Sequence, residues 1–189
     1  MSDFENAGKI SRRGFVASAV IAAVPLVLPL RRVAAFAAAD VLIAQFNDAG
    51  EKTGVSRVPK VVKPEAEWRK QLSPLAFAVT RKADTERAFS GAFWNLHEHG
   101  MFRCICCDTA LFSTKVKFDS GTGWPSFWQP IAPENVGGRN GTIAGPTNTE
   151  VTCQRCDAHL GDLFDDGPKP TGLRYCIDSV SLRFVKIPK

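Results

Sequence analysis

Apolar positions fall into three regimes along this chain. From Gly14 to Leu30 nearly every residue is apolar, yet the run is shorter than the ~20 residues a membrane span normally needs. Residues 40–63 mix small, polar and Lys/Val positions without a sustained period, and read as a linker. From Pro64 the pattern sharpens: Pro at a helix start, with Trp68 and Leu72 four apart, predicts a short amphipathic helix over 64–72. β-favouring runs then follow at Phe77–Thr80, Leu111–Phe118, Gly141–Ala144 and Ser179–Ile187. The last alternates Val180, Leu182 and Phe184 before Val185 and Ile187. Turn signals separate them at Gly137-Gly138, Asn140-Gly141, Asp166-Gly167-Pro168 and Gly172. The expectation is one mainly β (α+β) domain over 64–189, antiparallel and with few short helices.

Charge changes the reading of the first 39 residues. Lys9, Arg12, Arg13, Arg31 and Arg32 against Asp3 and Glu5 place +3 of the +5 formal charge there and leave +2 for the rest. A polar start, an apolar stretch and an Ala-rich end form the layout of a signal peptide. Arg12-Arg13-Gly14-Phe15 resembles the twin-arginine export signal, which a receptor reads and which is not an anchor. Ala35-Phe36-Ala37 and Ala37-Ala38-Ala39 are both cleavable small-x-small sites. An uncleaved anchor and a buried N-terminal helix are the alternatives. Export by this route implies a periplasmic protein that meets the membrane only in transit and travels already folded. No Lys/Arg block interleaved with aromatics occurs after residue 40, which argues against nucleic acid as a partner.

Six cysteines bring in chemistry. Cys104 with Cys107, and Cys153 with Cys156, each form a CxxC, so that two thiolates of one tight turn reach the same ion. Two such turns supply the closed tetrahedral set of a structural zinc; disulfides, which an oxidising compartment favours, are the alternative. The 45 residues between the pairs are long for a zinc ribbon, so the ion is expected to pin two distant hairpins, with Cys106 left free. Cys176 stands apart, with Arg174 two residues before it and Asp178 two after. In an extended segment all three face one way, and a neighbouring cation favours the nucleophilic thiolate. On composition alone, Cys176 is better read as a small buried hydrophobe in a strand and Trp124 as a core tryptophan.

A set of segments in order settles these choices by resemblance. Thr80-Arg81 with Thr85-Glu86-Arg87-Ala88-Phe89-Ser90-Gly91, Cys104-Ile105-Cys106-Cys107 with Leu111-Phe112, and Phe118-Asp119-Ser120-Gly121-Thr122-Gly123-Trp124-Pro125-Ser126-Phe127 are three of them. Cys153-Gln154-Arg155-Cys156-Asp157-Ala158-His159-Leu160-Gly161 and Arg174-Tyr175-Cys176 complete the set, which is similar to the B-type methionine sulfoxide reductases. The resemblance spans roughly 64–187. It implies coiled antiparallel sheets, a structural zinc far from the active site, and reduction of the R epimer of methionine sulfoxide in oxidised proteins or peptides. Carried over, Cys176 is the catalytic cysteine, Trp124 packs the substrate methyl, and His159 and Arg174 fall at active-site positions.

The chain departs from the family at three places. Asp162 stands where a histidine is frequent in the His-Leu-Gly-His run, and Asp178 where Asn is common. Two acids beside a thiolate oppose it unless they are protonated or ion-paired, and a buried Asp162 is a candidate proton donor. Thr122 occupies the place of a common resolving cysteine, so regeneration is expected from an external thioredoxin-like or small thiol. A zinc-stabilised binding module that has kept the fold and lost activity is the competing reading. His97 and His99 are read as solvated loop residues.

Overall fold

The structure, a computed structural model, describes residues 39–138 and 149–188. The signal-peptide expectation, the strand expected at Gly141–Ala144 and the Asn140-Gly141 turn lie outside these residues. Eleven strands are present among the described residues: β1 (Asp40–Phe46), β2 (Lys52–Pro59), β3 (Gly100–Cys104), β4 (Ala110–Ser113), β5 (Lys117–Phe118), β6 (Ser126–Phe127), β7 (Val136–Gly138), β8 (Thr149–Cys153), β9 (His159–Phe164), β10 (Arg174–Ile177) and β11 (Leu182–Lys186). Two short helices, α1 (Glu65–Gln71) and α2 (Pro74–Lys82), precede β3. The strands form a hairpin β1-β2, a six-stranded sheet ordered β5-β6-β10-β9-β8-β7 and a three-stranded sheet β11-β3-β4. Every strand pair is antiparallel, as the alternating strand runs and turns imply.

The two larger sheets meet through aromatic rings. Phe112 of β4 stacks on Phe127 of β6 with ring centroids 4.5 Å apart, Phe102 of β3 meets the same ring at 5.2 Å, and Tyr175 of β10 lies 5.8 Å from Phe112. Truncating a fully buried ring such as Phe127 costs about 3–5 kcal/mol.

Several expectations need correction. The segment 40–63 is not a linker: β1 and β2 pair along nearly their whole length, and Ile43 and Ala44 are 2% and 1% exposed. The amide of Asn135 clamps the hairpin, accepting from Ala44 N at 2.8 Å and donating to Ala44 O at 2.9 Å. Phe77–Thr80 is helix, not strand. Ser73 caps it by accepting from Ala76 N at 3.2 Å, and Pro74 begins it, so capping and burial of one face override the β preference of Val79 and Thr80. The run Leu111–Phe118 is broken by a 3₁₀ turn at Thr114–Val116, and Ser179–Ser181 is a 3₁₀ turn that delays the last strand to Leu182. Gly137-Gly138 lies within β7 instead of forming a turn.

Candidate active site and metal centre

The antiparallel register writes the site across one row of the large sheet. Cys176 on β10 is directly opposite Asp162 on β9 and Ser126 on β6, and Asp162 is opposite Glu150 on β8. Residues opposite one another share a face, so one row carries a sulfur and two carboxyls. The strands can close here only because residue 161 is Gly. Its φ is +146°, and a Cβ there would stand 2.0 Å from the carbonyl oxygen of Cys176.

A cavity of about 120 Å³ opens over this row, lined by Thr85, Trp124, Gly161, Asp162, Phe164, Cys176 and Asp178. The Trp124 indole N–H donates to the carbonyl of Glu86 at 3.1 Å, which satisfies its polar edge and leaves the ring as a wall. A larger cleft of about 360 Å³ lies beside α1 and α2, but its one cysteine is Cys156, already part of a sulfur cluster.

Burial governs the electrostatics. The Cys176 thiol is pushed up by desolvation, which outweighs the pull of Arg174 and of Thr122, whose hydroxyl lies 3.9 Å from the sulfur; Asp178 and Asp162 push the same way as burial. The lowering expected from Arg174 is present but smaller than the effect of burial. Its guanidinium is bound to Asp166 at 2.7 and 2.8 Å and lies over the Phe164 ring. Burial also raises Asp162, against the pull of His159, and raises Asp178 to about 7, with Glu86, Asp162 and Asp84 adding to it and the Glu86 backbone N–H opposing it.

Of the candidate residues, Cys176, Asp162, Asp178 and Trp124 meet at the cavity. His159 stands behind it: Nδ1 is 2.9 Å from Glu150 and Nε2 3.9 Å from Asp178 Oδ2. Arg174 faces Asp166. Glu86, Glu150 and Asp166, to which sequence reasoning gave no site role, are the partners that hold these side chains; no local spacing ties any of them to the residue it holds.

The four CxxC cysteines converge. Their sulfurs all lie within 4.8 Å of one another, with Cys107 to Cys153 at 3.5 Å and Cys104 to Cys156 at 3.7 Å. Both knuckles have one design. Asp108 N donates to Cys104 O and Asp157 N to Cys153 O, each at 2.9 Å, and both aspartates adopt left-handed backbone, φ 64° and 53°. Cys106 is buried beside Cys104 and Cys156 and outside the four-sulfur set. His97 is exposed and bonded to Asn95, while His99 is partly buried, its Nδ1 3.3 Å from the carbonyl of Ile187.

A family model described as the SelR domain matches residues 72–186. The chain belongs to the SelR domain family. It is 54% identical over 129 residues to the peptide methionine sulfoxide reductase MsrB of Herminiimonas arsenicoxydans, covering 68% of this chain and 94% of that protein. With the MsrB of Thioalkalivibrio sulfidiphilus it shares 57% identity over 116 residues, 61% of this chain and 85% of the relative. With the chloroplastic peptide methionine sulfoxide reductase B1 of rice it shares 52% over 122 residues, 65% of this chain and 57% of the relative. The matched SelR domain contains every cavity residue and all four clustered cysteines.

Proposed function

We propose that this chain reduces methionine-R-sulfoxide in peptides and proteins to methionine. One observation carries the reading: the sulfur of Cys176 opens into a small cavity against the Trp124 ring, beside two carboxyls that burial biases toward their protonated forms. The indole wall receives the apolar S-methyl, and the polar side receives the sulfoxide oxygen, which is how the pocket sorts two epimers. The Cys176 thiolate attacks the sulfoxide sulfur while a carboxylic acid delivers a proton to the departing oxygen. The S–S bond formed by this attack then breaks as the protonated oxygen migrates to Cys176 Sγ, its electron pair staying on the substrate sulfur, so methionine leaves and a sulfenic acid remains; the substrate sulfur is reduced by two electrons and Cys176 is oxidised by two. Asp178 is the better donor of the two acids, since it is 2% exposed and stays protonated up to about pH 7. An external thiol then attacks the sulfenic acid with loss of water, and a second thiol releases Cys176. Thioredoxin-like proteins and small thiols both supply that chemistry.

Cys104, Cys107, Cys153 and Cys156 would hold a structural zinc. Four sulfurs about 2.3 Å from one ion stand about 3.8 Å apart in a tetrahedron, close to the two short separations found here. Bound there, the ion supplies a crosslink between the hairpins β3-β4 and β8-β9.

The N-terminal 39 residues support export through a twin-arginine route and hence repair of oxidised periplasmic proteins. Cell fractionation with Arg12→Lys and Arg13→Lys tests this arm separately. For the activity, stereochemically pure R- and S-sulfoxide peptides are incubated with the metal-loaded chain and a thiol reductant. Turnover of R alone is expected; absence of turnover by well-folded, metal-loaded protein would leave the binding-module reading in its place.

A further inference from the structure

Glu86 lies in the irregular segment between α2 and β3, outside the cavity, and is 2% exposed. A buried carboxylate needs donors, and it has two: Oε1 accepts from Ser179 N at 2.6 Å and Oε2 from Val180 N at 3.1 Å. Those amides belong to the 3₁₀ turn that begins directly after Cys176-Ile177-Asp178. Gly91 makes room for the arrangement, since a Cβ there would lie 2.4 Å from Glu86 Oε1 and 2.3 Å from Ser179 Oγ.

The backbone of the same residue reaches the cavity on both sides. Its N–H donates to Asp178 Oδ1 at 2.8 Å, and its carbonyl accepts from the Trp124 indole at 3.1 Å. The backbone N–H and carbonyl of one residue thus hold the candidate acid and the aromatic wall, and its side chain fastens that residue to the turn following the nucleophile. The three attachments join parts of the chain 38 and 92–94 residues apart in sequence. Among the described residues Glu86 is the hydrogen-bond partner of both the Trp124 indole and the Asp178 carboxylate, with His159 Nε2 standing 3.9 Å from the other carboxylate oxygen.

We propose that Glu86 is a positioning residue for sulfoxide reduction: its carboxylate anchors the loop whose backbone sets Trp124 and Asp178 against Cys176. The inference rests on the reductase reading given above. Glu86→Gln keeps the volume and one acceptor but turns an amide NH₂ toward a backbone N–H; Glu86→Ala removes both acceptors.

The test uses the metal-loaded full chain with ¹⁵N-labelled tryptophan, the Trp124 indole resonance being assigned with Trp124→Phe. Glu86→Gln should accelerate exchange of that indole proton about tenfold or more and raise KM for an R-sulfoxide peptide about tenfold. In a Trp124→Phe background the same substitution should change KM less than twofold, a non-additivity that general destabilisation does not produce. Equal metal content in the two proteins establishes that the Gln variant is folded, so the outcome does not depend on whether the Ala variant folds. Indole exchange unchanged within twofold, or strictly additive KM effects, overturns the proposal. If the wild type proves inactive, the function reading falls while indole exchange alone still decides the positioning.

Discussion

Asp178 ties the site to the stability of the whole domain. Its carboxyl is buried, accepts one backbone N–H, and is raised from 3.8 to about 7 by desolvation first and by Glu86, Asp162 and Asp84 after it. His159 stands 3.9 Å away, too far to be a hydrogen-bond partner. Because the folded pKa lies above the unfolded one, the folded state binds the extra proton, and stability present below about pH 4 is lost as pH rises toward 7. A shift of roughly three units corresponds to a ceiling of about 4 kcal/mol, spread at about 1.4 kcal/mol per pH unit and level above pH 7. Asp178→Asn keeps an acceptor for the Glu86 N–H and removes the titration. Urea unfolding of metal-loaded wild type and variant at pH 5, 6, 7 and 8 isolates the effect, because thiol titration at the metal is common to both and cancels in the difference. The variant should gain on the wild type by about 2 kcal/mol between pH 5 and 7, with only a few tenths more by pH 8. Parallel curves over the whole range would refute the reasoning, since they would mean that the carboxyl ionises as freely in the fold as in the unfolded chain.

Four further outcomes follow from the geometry. Cys176→Ser should abolish R-sulfoxide turnover while leaving the melting temperature within a few degrees, measured by a peptide assay and thermal denaturation; wild-type turnover would remove Cys176 from the reaction. Elemental analysis should find about one zinc per chain, and Cys153→Ser should lose it with a fall of several kcal/mol in stability; active, metal-free protein with two internal disulfides would contradict this. Asp162→Asn should lower kcat more modestly than Asp178→Asn, and the reverse order in steady-state kinetics would make Asp162 the proton donor. Intact mass after one turnover without reductant should show a sulfenic acid trapped on Cys176 and no Cys106–Cys176 disulfide, whereas Thr122→Cys, which places a thiol where a hydroxyl now lies 3.9 Å from that sulfur, should form one. A Cys106–Cys176 bond in the wild type would require the metal hairpin to move.

Local patterns made much of this molecule legible. The alternation in the last strand, the Pro-led helix and the paired CxxC knuckles were all expressed in short stretches of sequence, and the cysteines converge as their spacing implied. What stayed hidden depends on distant partners. The β1-β2 hairpin shows no apolar period because most of β2 is exposed, and its anchor, Asn135, lies 91 residues from Ala44. Helix α2 was obscured by β-branched residues, although Ser73-Pro74 held the capping signal. The influence of Arg174 on Cys176 was overestimated because the burial of the thiol, which outweighs that pull, comes from the packing of the folded chain. Glu86 was seen only as part of a motif; that its two faces serve different neighbours is a property of the folded chain.

The seam at Gly161 also bears on how this gene can change. Every single-base change that alters a glycine codon introduces either a side chain with a Cβ or a stop, and at this position a Cβ collides with the backbone of the residue that carries the nucleophile. Position 162, by contrast, carries its side chain into the cavity, where another side chain can stand without a backbone collision. Position 161 has no viable mutational neighbour, so the lineage can retune the chemistry on either side of the seam while the seam itself stays fixed.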